Sequence, residues 1–141
     1  MLQWEAKGSA TFLNVKDLDR PFDYKLRLNG GGDGREIAVD LPETFNYLLG
    51  LAVRTRRVYG DEGRRYLVYT GTTRDGRNAV VIWRNTDGWT VEDRERDRNF
   101  VAANSMTSEA DEIWMNGDSM VMNARPLDAV FKQRMFASER G

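Results

Sequence analysis

The middle of the chain alternates apolar and polar positions in a pattern that predicts one helix followed by three strands. Four apolar side chains recur at helical spacing and form a single stripe: Leu41, Phe45, Leu48 and Leu49. Asp40 stands where a helix N-cap is expected, and Glu43 stands at the position of its capping-box partner. Gly50 then ends the predicted helix, because glycine readily takes the left-handed conformation of a helix C-terminus.

The next three apolar segments are predicted strands, at residues 53–59, 65–70 and 79–83. Residues 60–63 turn the chain between the first two strands. Asp75-Gly76 is a strong hairpin signal between the second and the third. The third strand is apolar at successive positions, which indicates burial on both faces, as in the centre of a sheet.

The C-terminal part predicts a charged helix, a short strand and a last helix. The charged helix spans residues 91–106, and its run of charges at 92–98 is typical of an exposed helix face. The short strand covers residues 113–115, and the last helix begins at Pro126. Because the short strand returns after a helix, part of the sheet is expected to be parallel.

The N-terminal part predicts strands at residues 4–12, 24–28 and 35–39, with a glycine-rich stretch at 29–34. A phosphate-binding glycine loop leads from a strand into a helix. These glycines lead instead into a predicted strand, which favours a hairpin-like loop.

The whole pattern predicts an α/β (α+β) fold, with a mixed, largely antiparallel sheet and three helices. We expect a single domain over residues 1–141, with an N-terminal strand region at 1–40 and an α/β core at 41–137. The expected core residues come from the strongest apolar patterns: Phe45, Leu49, Val81, Ile82, Val130 and Phe131.

Composition removes several classes of site. The 141 residues contain no cysteine and no histidine, which excludes thiol nucleophiles, imidazole bases and Cys/His zinc sites within this chain. No apolar run approaches the ~18 residues of a membrane span, so we expect a cytoplasmic protein with no membrane partner. The net charge is −1, yet the basic residues are 17 arginines and only 4 lysines. Arginine suits phosphate better than lysine does, although a biased genome would produce the same excess.

Five arginines cluster around the first predicted hairpin and form the candidate DNA-binding set: Arg54, Arg56, Arg57, Arg64 and Arg65. Strand alternation predicts that Arg54 and Arg56 share one face and that Arg57 lies on the other. Such a hairpin suits contact with phosphates. An edge hairpin kept soluble by its charges is an equally good interpretation.

A second candidate polar site follows the short strand, at Asn116, Asp118 and Ser119. In α/β folds, ligands often bind at polar residues that follow the end of a strand. The tetrapeptide Asn116-Gly117-Asp118-Ser119 is also a common turn sequence. No catalytic or metal-binding residue is predicted.

The order helix, three-strand meander, helix, strand is also the core order of many nucleases. Those enzymes need a metal-binding carboxylate on the second strand of the meander, and an acidic residue with a lysine on the third. Here these strands read RRYLVYTG and NAVVIWRN, without those residues. A degenerate nuclease-like fold that binds nucleic acid or protein is therefore the alternative interpretation.

Four stretches carry a family resemblance: PFDYKLRL at 21–28, DLPETFNYLLGL at 40–51, GRNAVVIWRNTDGW at 76–89 and WMNGDSMVMNARPLDAVFKQRMF at 114–136. Their order resembles the C-terminal region of type III-like, site-specific adenine-N6 DNA methyltransferases, the modification subunits of restriction–modification systems. The resemblance covers residues 10–137, about the whole chain.

The resemblance implies an accessory C-terminal domain that is inactive by itself. The family binds S-adenosylmethionine with a Phe-x-Gly-x-Gly loop and holds adenine with an Asp/Asn-Pro-Pro-Tyr loop, and neither matches a position in this chain. We therefore expect no cofactor in this chain, with S-adenosylmethionine belonging to the parent enzyme. The implied partners are the methyltransferase domain of the same polypeptide, DNA, the restriction subunit and a second copy in a homodimer.

Overall fold

The computed structural model describes residues 41–127, together with Pro21, Phe22 and the backbones of two short strands. Those strands, β1 (Lys25–Arg27) and β2 (Glu36–Ala38), pair antiparallel. They lie within the strands predicted at 24–28 and 35–39. The first predicted strand, at 4–12, and the glycine-rich loop lie outside the described residues.

Two helices and five further strands follow in chain order. They are α1 (Leu41–Leu49), β3 (Ala52–Asp61), β4 (Arg64–Thr72), β5 (Asn78–Arg84), α2 (Val91–Ala103), β6 (Glu112–Met115) and β7 (Ala124–Pro126). Among the described residues, no helix has the length and apolar character needed to cross a membrane.

The five strands form one mixed sheet in the order β3-β4-β5-β6-β7. β3, β4 and β5 are an antiparallel meander, whereas β6 pairs parallel to β5 and β7 pairs parallel to β6. The mixed α/β class and the partly parallel sheet are confirmed.

The last strand was not predicted from the sequence. Pro126 was expected to begin a helix, but it ends β7, the last strand in the described sheet order. Proline is tolerated at a sheet edge because no ladder hydrogen bond needs its missing N–H. The described residues contain two helices, and the predicted third helix lies largely beyond residue 127, outside them.

Alternate side chains of β4 and β5 point to opposite faces of the sheet, and both faces are buried. Leu67, Tyr69, Val81 and Trp83 pack with α1 on one face. Tyr66, Val68, Val80 and Ile82 pack with α2 on the other. Two helices on opposite faces of a sheet explain why the central strand has no polar face.

Phe45 anchors α1 on the sheet. Its ring is fully buried and meets two tryptophans, with centroids 6.1 Å from Trp83 and 6.0 Å from Trp114. The predicted burial of Phe45, Val81 and Ile82 is confirmed, and Leu49 is partly buried against the same cluster. Val130 and Phe131 lie outside the described residues.

Helix α2 begins at a cap that the sequence analysis missed. The Thr90 hydroxyl accepts from the Asp93 backbone N–H, and the Asp93 carboxylate accepts from the Thr90 backbone N–H. This reciprocal pair is a capping box. Before α1, the predicted cap Asp40 lies outside the described residues, and Glu43 accepts a hydrogen bond from the Tyr69 hydroxyl at 2.6 Å.

Candidate nucleic-acid contact surface

Strand β3 is one of the two outer strands of the described sheet, and most of its side chains are exposed. Four of the five candidate arginines are exposed on this strand or on its neighbour β4. We call these four residues the arginine edge: Arg54, Arg56, Arg57 and Arg65. The hairpin thus presents basic side chains along one border of the molecule.

A bulge in β3 corrects the predicted facing of these arginines. The β3–β4 register shifts between Val53 and Thr55, so Arg54 has no partner residue across the ladder. An inserted residue reverses the alternation of side chains before it. Arg54 and Arg57 therefore both line a cleft on the α2 face of the sheet, and Arg54 does not share a face with Arg56.

Arg56 and Arg65 lie on the face of the sheet that carries α1. The Arg56 Nε donates to the Tyr69 hydroxyl oxygen at 3.4 Å, and that hydroxyl donates to Glu43. The Arg65 guanidinium lies 4.8 Å from the centroid of the Phe22 ring. Both contacts leave the guanidinium groups exposed at the border of the sheet.

Arg64 does not belong to this exposed surface. Its guanidinium pairs with Asp93 of α2 and lies 5.1 Å from the Trp89 ring centroid. Its side chain is 23% exposed. The structure therefore places Arg64 between the hairpin and α2, as a link between the two elements.

The acidic residues of the β3–β4 turn pair with α2. The Arg96 Nε lies 3.0 Å from the Asp61 carboxylate, and Arg96 also pairs with Glu62. The Arg96 hydrogen bond holds the pKa of Asp61 below its ordinary value. These two carboxylates therefore neutralise Arg96, which leaves the charge of the arginine edge uncompensated by the turn.

A fully buried ion pair lies between β5 and α2, and the sequence analysis missed it. Arg84 donates through Nε to Asp97 Oδ1 at 3.0 Å and through Nη2 to Oδ2 at 3.2 Å. The Tyr66 hydroxyl donates to the same carboxylate at 2.6 Å. Asp97 was expected on an exposed helix face, but it is completely buried. The sequence offers one signal for this ion pair, which is the single arginine, Arg84, at the end of a mostly apolar strand.

Burial and the Asp97 carboxylate both raise the pKa of Tyr66 far above its ordinary value, burial being the larger cause. The phenol therefore remains a hydrogen-bond donor throughout the physiological pH range. Its hydroxyl satisfies one acceptor position of the buried Asp97 carboxylate.

The second candidate site is built into this network. The Asn116 side chain is buried, accepts from the Arg84 backbone N–H at 3.0 Å and donates to the Arg84 carbonyl at 2.7 Å. The Asp118 carbonyl accepts from Arg84 Nη2 at 3.1 Å, while its exposed carboxylate lies 3.7 Å from Arg94. The Ser119 hydroxyl accepts from the Val121 backbone N–H at 3.1 Å. The turn at residues 116–119 thus connects the ends of β5 and β6 through hydrogen bonds to Arg84.

A cleft of about 370 Å³ opens on the α2 side of the arginine edge. Arg54 and Arg57 of β3 line one wall, and the loop after α2, residues 104–110, lines the other. No local pattern in the sequence indicates this cleft, because it forms between segments about 50 residues apart.

The described residues contain no cluster of three or more carboxylate, histidine or cysteine groups that could hold a metal ion. Strands β4 and β5 carry no acidic residue. Comparison of the chain with family models, curated proteins and solved structures gives no match.

Proposed function

We propose that this chain is a non-catalytic accessory domain of an adenine-specific DNA methyltransferase, and that it contacts DNA through the arginine edge. One observation carries the DNA contact. Within the described residues, Arg54 and Arg57 form no ion pair. Five other arginines each pair with a carboxylate: Arg64, Arg77, Arg84, Arg94 and Arg96.

The distribution of charge supports this contact despite a net charge of −1. The carboxylates of Asp61, Glu62 and Asp93 are occupied by Arg96 and Arg64, so the outer border of β3 is locally basic. Arginine guanidinium groups spaced along an extended strand can donate hydrogen bonds to the oxygens of successive phosphates. Phosphate contacts position a protein on DNA without reading the bases, so binding would not be sequence-specific.

The packing of the stretches that resemble the methyltransferase family supports an accessory role. Phe45, Trp83 and Trp114 come from three of these stretches, and their rings meet in one cluster. Arg84 and Asn116, from two of the stretches, form the buried network. The resembling residues therefore build the core of a domain. Its assembly partners, in this proposal, are the methyltransferase domain, the restriction subunit or a second copy.

The DNA contact is tested by fluorescence anisotropy with a labelled duplex at several salt concentrations. We expect weak binding whose log affinity falls by about 0.9 per log unit of salt for each phosphate neutralised. Arg54→Ala with Arg57→Ala should weaken binding and reduce this slope by about 2. Arg74→Ala with Arg98→Ala removes the same charge from two exposed arginines away from β3 that also form no ion pair within the described residues, and serves as the matched control.

Two results would contradict the contact. One is the absence of binding even at low salt. The other is an equal loss of affinity in the β3 pair and in the control pair, which would show a general charge effect. The parentage has a separate test, since an upstream reading frame with the Pro-Pro-Tyr and glycine loops would support a methyltransferase origin.

A second candidate function is a nuclease-like binding module. The observation in its favour is the order helix, antiparallel meander, helix and parallel strand. This candidate uses the same arginine edge and needs no methyltransferase partner. DNA binding together with an upstream frame that lacks the methyltransferase loops would favour it.

A further inference from the structure

The cleft beside β3 has the dimensions of a ligand site. Its volume of about 370 Å³ lies near the lower end of the ~300–1,000 Å³ typical of small-molecule pockets. It lies between the exposed α2-side residues of β3 and the loop at 104–110. A ligand seated there would contact two segments that are remote in sequence.

The walls of the cleft differ in chemistry. Its floor is apolar, with Val68, Val80 and Met106, all buried in the core beneath α2. Arg54 and Arg57 supply positive charge on the strand side. Hydroxyl groups and the exposed carboxylate of Glu109 line the loop side.

The charged side chains that line the cleft do not pair with one another. Glu109 lines the same cleft as Arg54 and Arg57, yet none of these three forms an ion pair within the described residues. Free cations on one wall and a free carboxylate on the other match a ligand that carries an anion at one end and hydrogen-bond donors at the other.

We propose that this cleft binds one nucleotide, with its phosphate on Arg54 and Arg57 and its base on the apolar floor. The proposal rests on the proposed function, since both use these two arginines, and it adds a specific pocket to the phosphate contact. Glu109 accepts a hydrogen bond from an exocyclic amine of the base. Adenine, cytosine and guanine carry such an amine and thymine does not, so the cleft prefers the first three.

The direct test is a titration of the ¹⁵N-labelled chain followed by amide chemical shifts. The probes are the four deoxynucleoside 5′-monophosphates, the matching nucleosides and inorganic phosphate. We expect the nucleotides to shift the amides of both β3 and the loop at 104–110. The nucleosides and inorganic phosphate should each bind at least about tenfold more weakly, the ratio that corresponds to 1.4 kcal/mol. Equal binding of inorganic phosphate and nucleotides would overturn the proposal, because the base would then make no contact.

Variants separate this pocket from the duplex contact. Ser108→Trp fills the cleft from its exposed rim and leaves the arginines in place. We expect it to abolish nucleotide binding and to leave duplex affinity within about twofold, a change well below the 1.4 kcal/mol of a tenfold effect. Nucleotide binding that survives Ser108→Trp, in a chain whose amide spectrum shows the native fold, would overturn the pocket.

Glu109→Ala tests the base contact without filling the cleft. We expect it to remove the preference for amine-bearing bases, and an unchanged preference would contradict the assigned role. If the duplex binds but no mononucleotide does, the pocket is wrong and the proposed function stands. If neither binds, both proposals fail.

Discussion

The buried Arg84 shows how one residue can organise its surroundings. A guanidinium removed from water needs an acceptor for each of its nitrogens, because an unpaired buried charge is strongly destabilising. Asp97 accepts from Nε and Nη2, and Asn116 accepts from Nη1. The Trp89 ring covers the same guanidinium, 5.4 Å from its centroid. Arg84 therefore joins β5, α2 and the turn after β6.

Asp97→Ala should be among the most destabilising single changes, since it leaves Arg84 buried without its counter-ion. We expect a loss of about 3–5 kcal/mol in the free energy of unfolding, measured by urea denaturation. Glu95→Ala, at an exposed position of the same helix, should change it by less than about 0.5 kcal/mol.

Replacing both charged groups by apolar ones tests whether the cause is the orphaned charge. Arg84→Met with Asp97→Leu should recover much of the loss, because apolar replacement of a buried pair is often neutral or better. The single variants Arg84→Met and Asp97→Leu are measured beside the double variant. A double variant whose loss equals the sum of these two single losses would show that shape, rather than charge, is critical at this position.

At the scale of elements, the start of β3 depends on a close backbone approach. A Cβ on Gly71 of β4 would overlap the carbonyl oxygen of Ala52, the first residue of β3. The bulge at Arg54 follows directly. Gly71 therefore lets β3 enter the sheet close to β4, and the bulge then turns Arg54 toward the cleft.

Gly71→Ala should displace the start of β3 from the sheet. We expect destabilisation of about 1–3 kcal/mol, as for overpacked sites. Faster hydrogen exchange should accompany it at the β3–β4 pairs nearest Ala52. Gly60→Ala is the matched control on the other half of the same hairpin, since no atom lies within 4 Å of its added Cβ. Equal effects of the two substitutions would refute the close-approach argument.

At the scale of the whole molecule, ion pairs tie the hairpin to α2. Asp61 of β3 pairs with Arg96, and Arg64 of β4 pairs with Asp93. The Arg96 hydrogen bond lowers the pKa of Asp61, and hydrogen bonds from the Thr90 backbone and side chain lower that of Asp93. Both carboxylates are therefore stabilised in their charged form by folding.

This arrangement makes stability depend on acid pH with a definite sign. A carboxyl whose pKa is lowered by folding contributes stability above its ordinary value of 3.8, and that contribution is lost as the pH falls through the lower, folded value. The urea midpoint of the wild type should therefore fall between pH ~5 and pH ~2.

Asp61→Asn with Asp93→Asn should be less stable than the wild type at neutral pH and should show a smaller fall in acid. Asp75→Asn is the control, since Asp75 lies in the β4–β5 turn and forms no ion pair within residues 41–127. An acid dependence that is the same in all three proteins would show that these links do not contribute.

The sequence was most informative where a local pattern was strong. The stripe containing Phe45 predicted α1, and the Asp75-Gly76 signal predicted the turn between β4 and β5. It was least informative about Asp97, whose charged neighbours are typical of a solvated face. Helix α2 has almost no amphipathic pattern, because it buries a carboxylate among apolar side chains.

Local patterns in the sequence predicted the order of the elements from α1 to β6, the apolar nature of the central strand and the presence of an arginine-rich hairpin. These features depend on the spacing between residues that are close in the chain, and the sequence shows that spacing directly. Which arginines form ion pairs within the described part of the chain depends on the tertiary fold, because the carboxylates that pair with Arg64 and Arg96 lie about 30 residues away. The tertiary fold also decided the facing of Arg54, since a bulge follows from how two strands meet. The burial of Arg84 was decided in the same way, because its partner Asp97 comes from α2, which packs on the same face of the sheet.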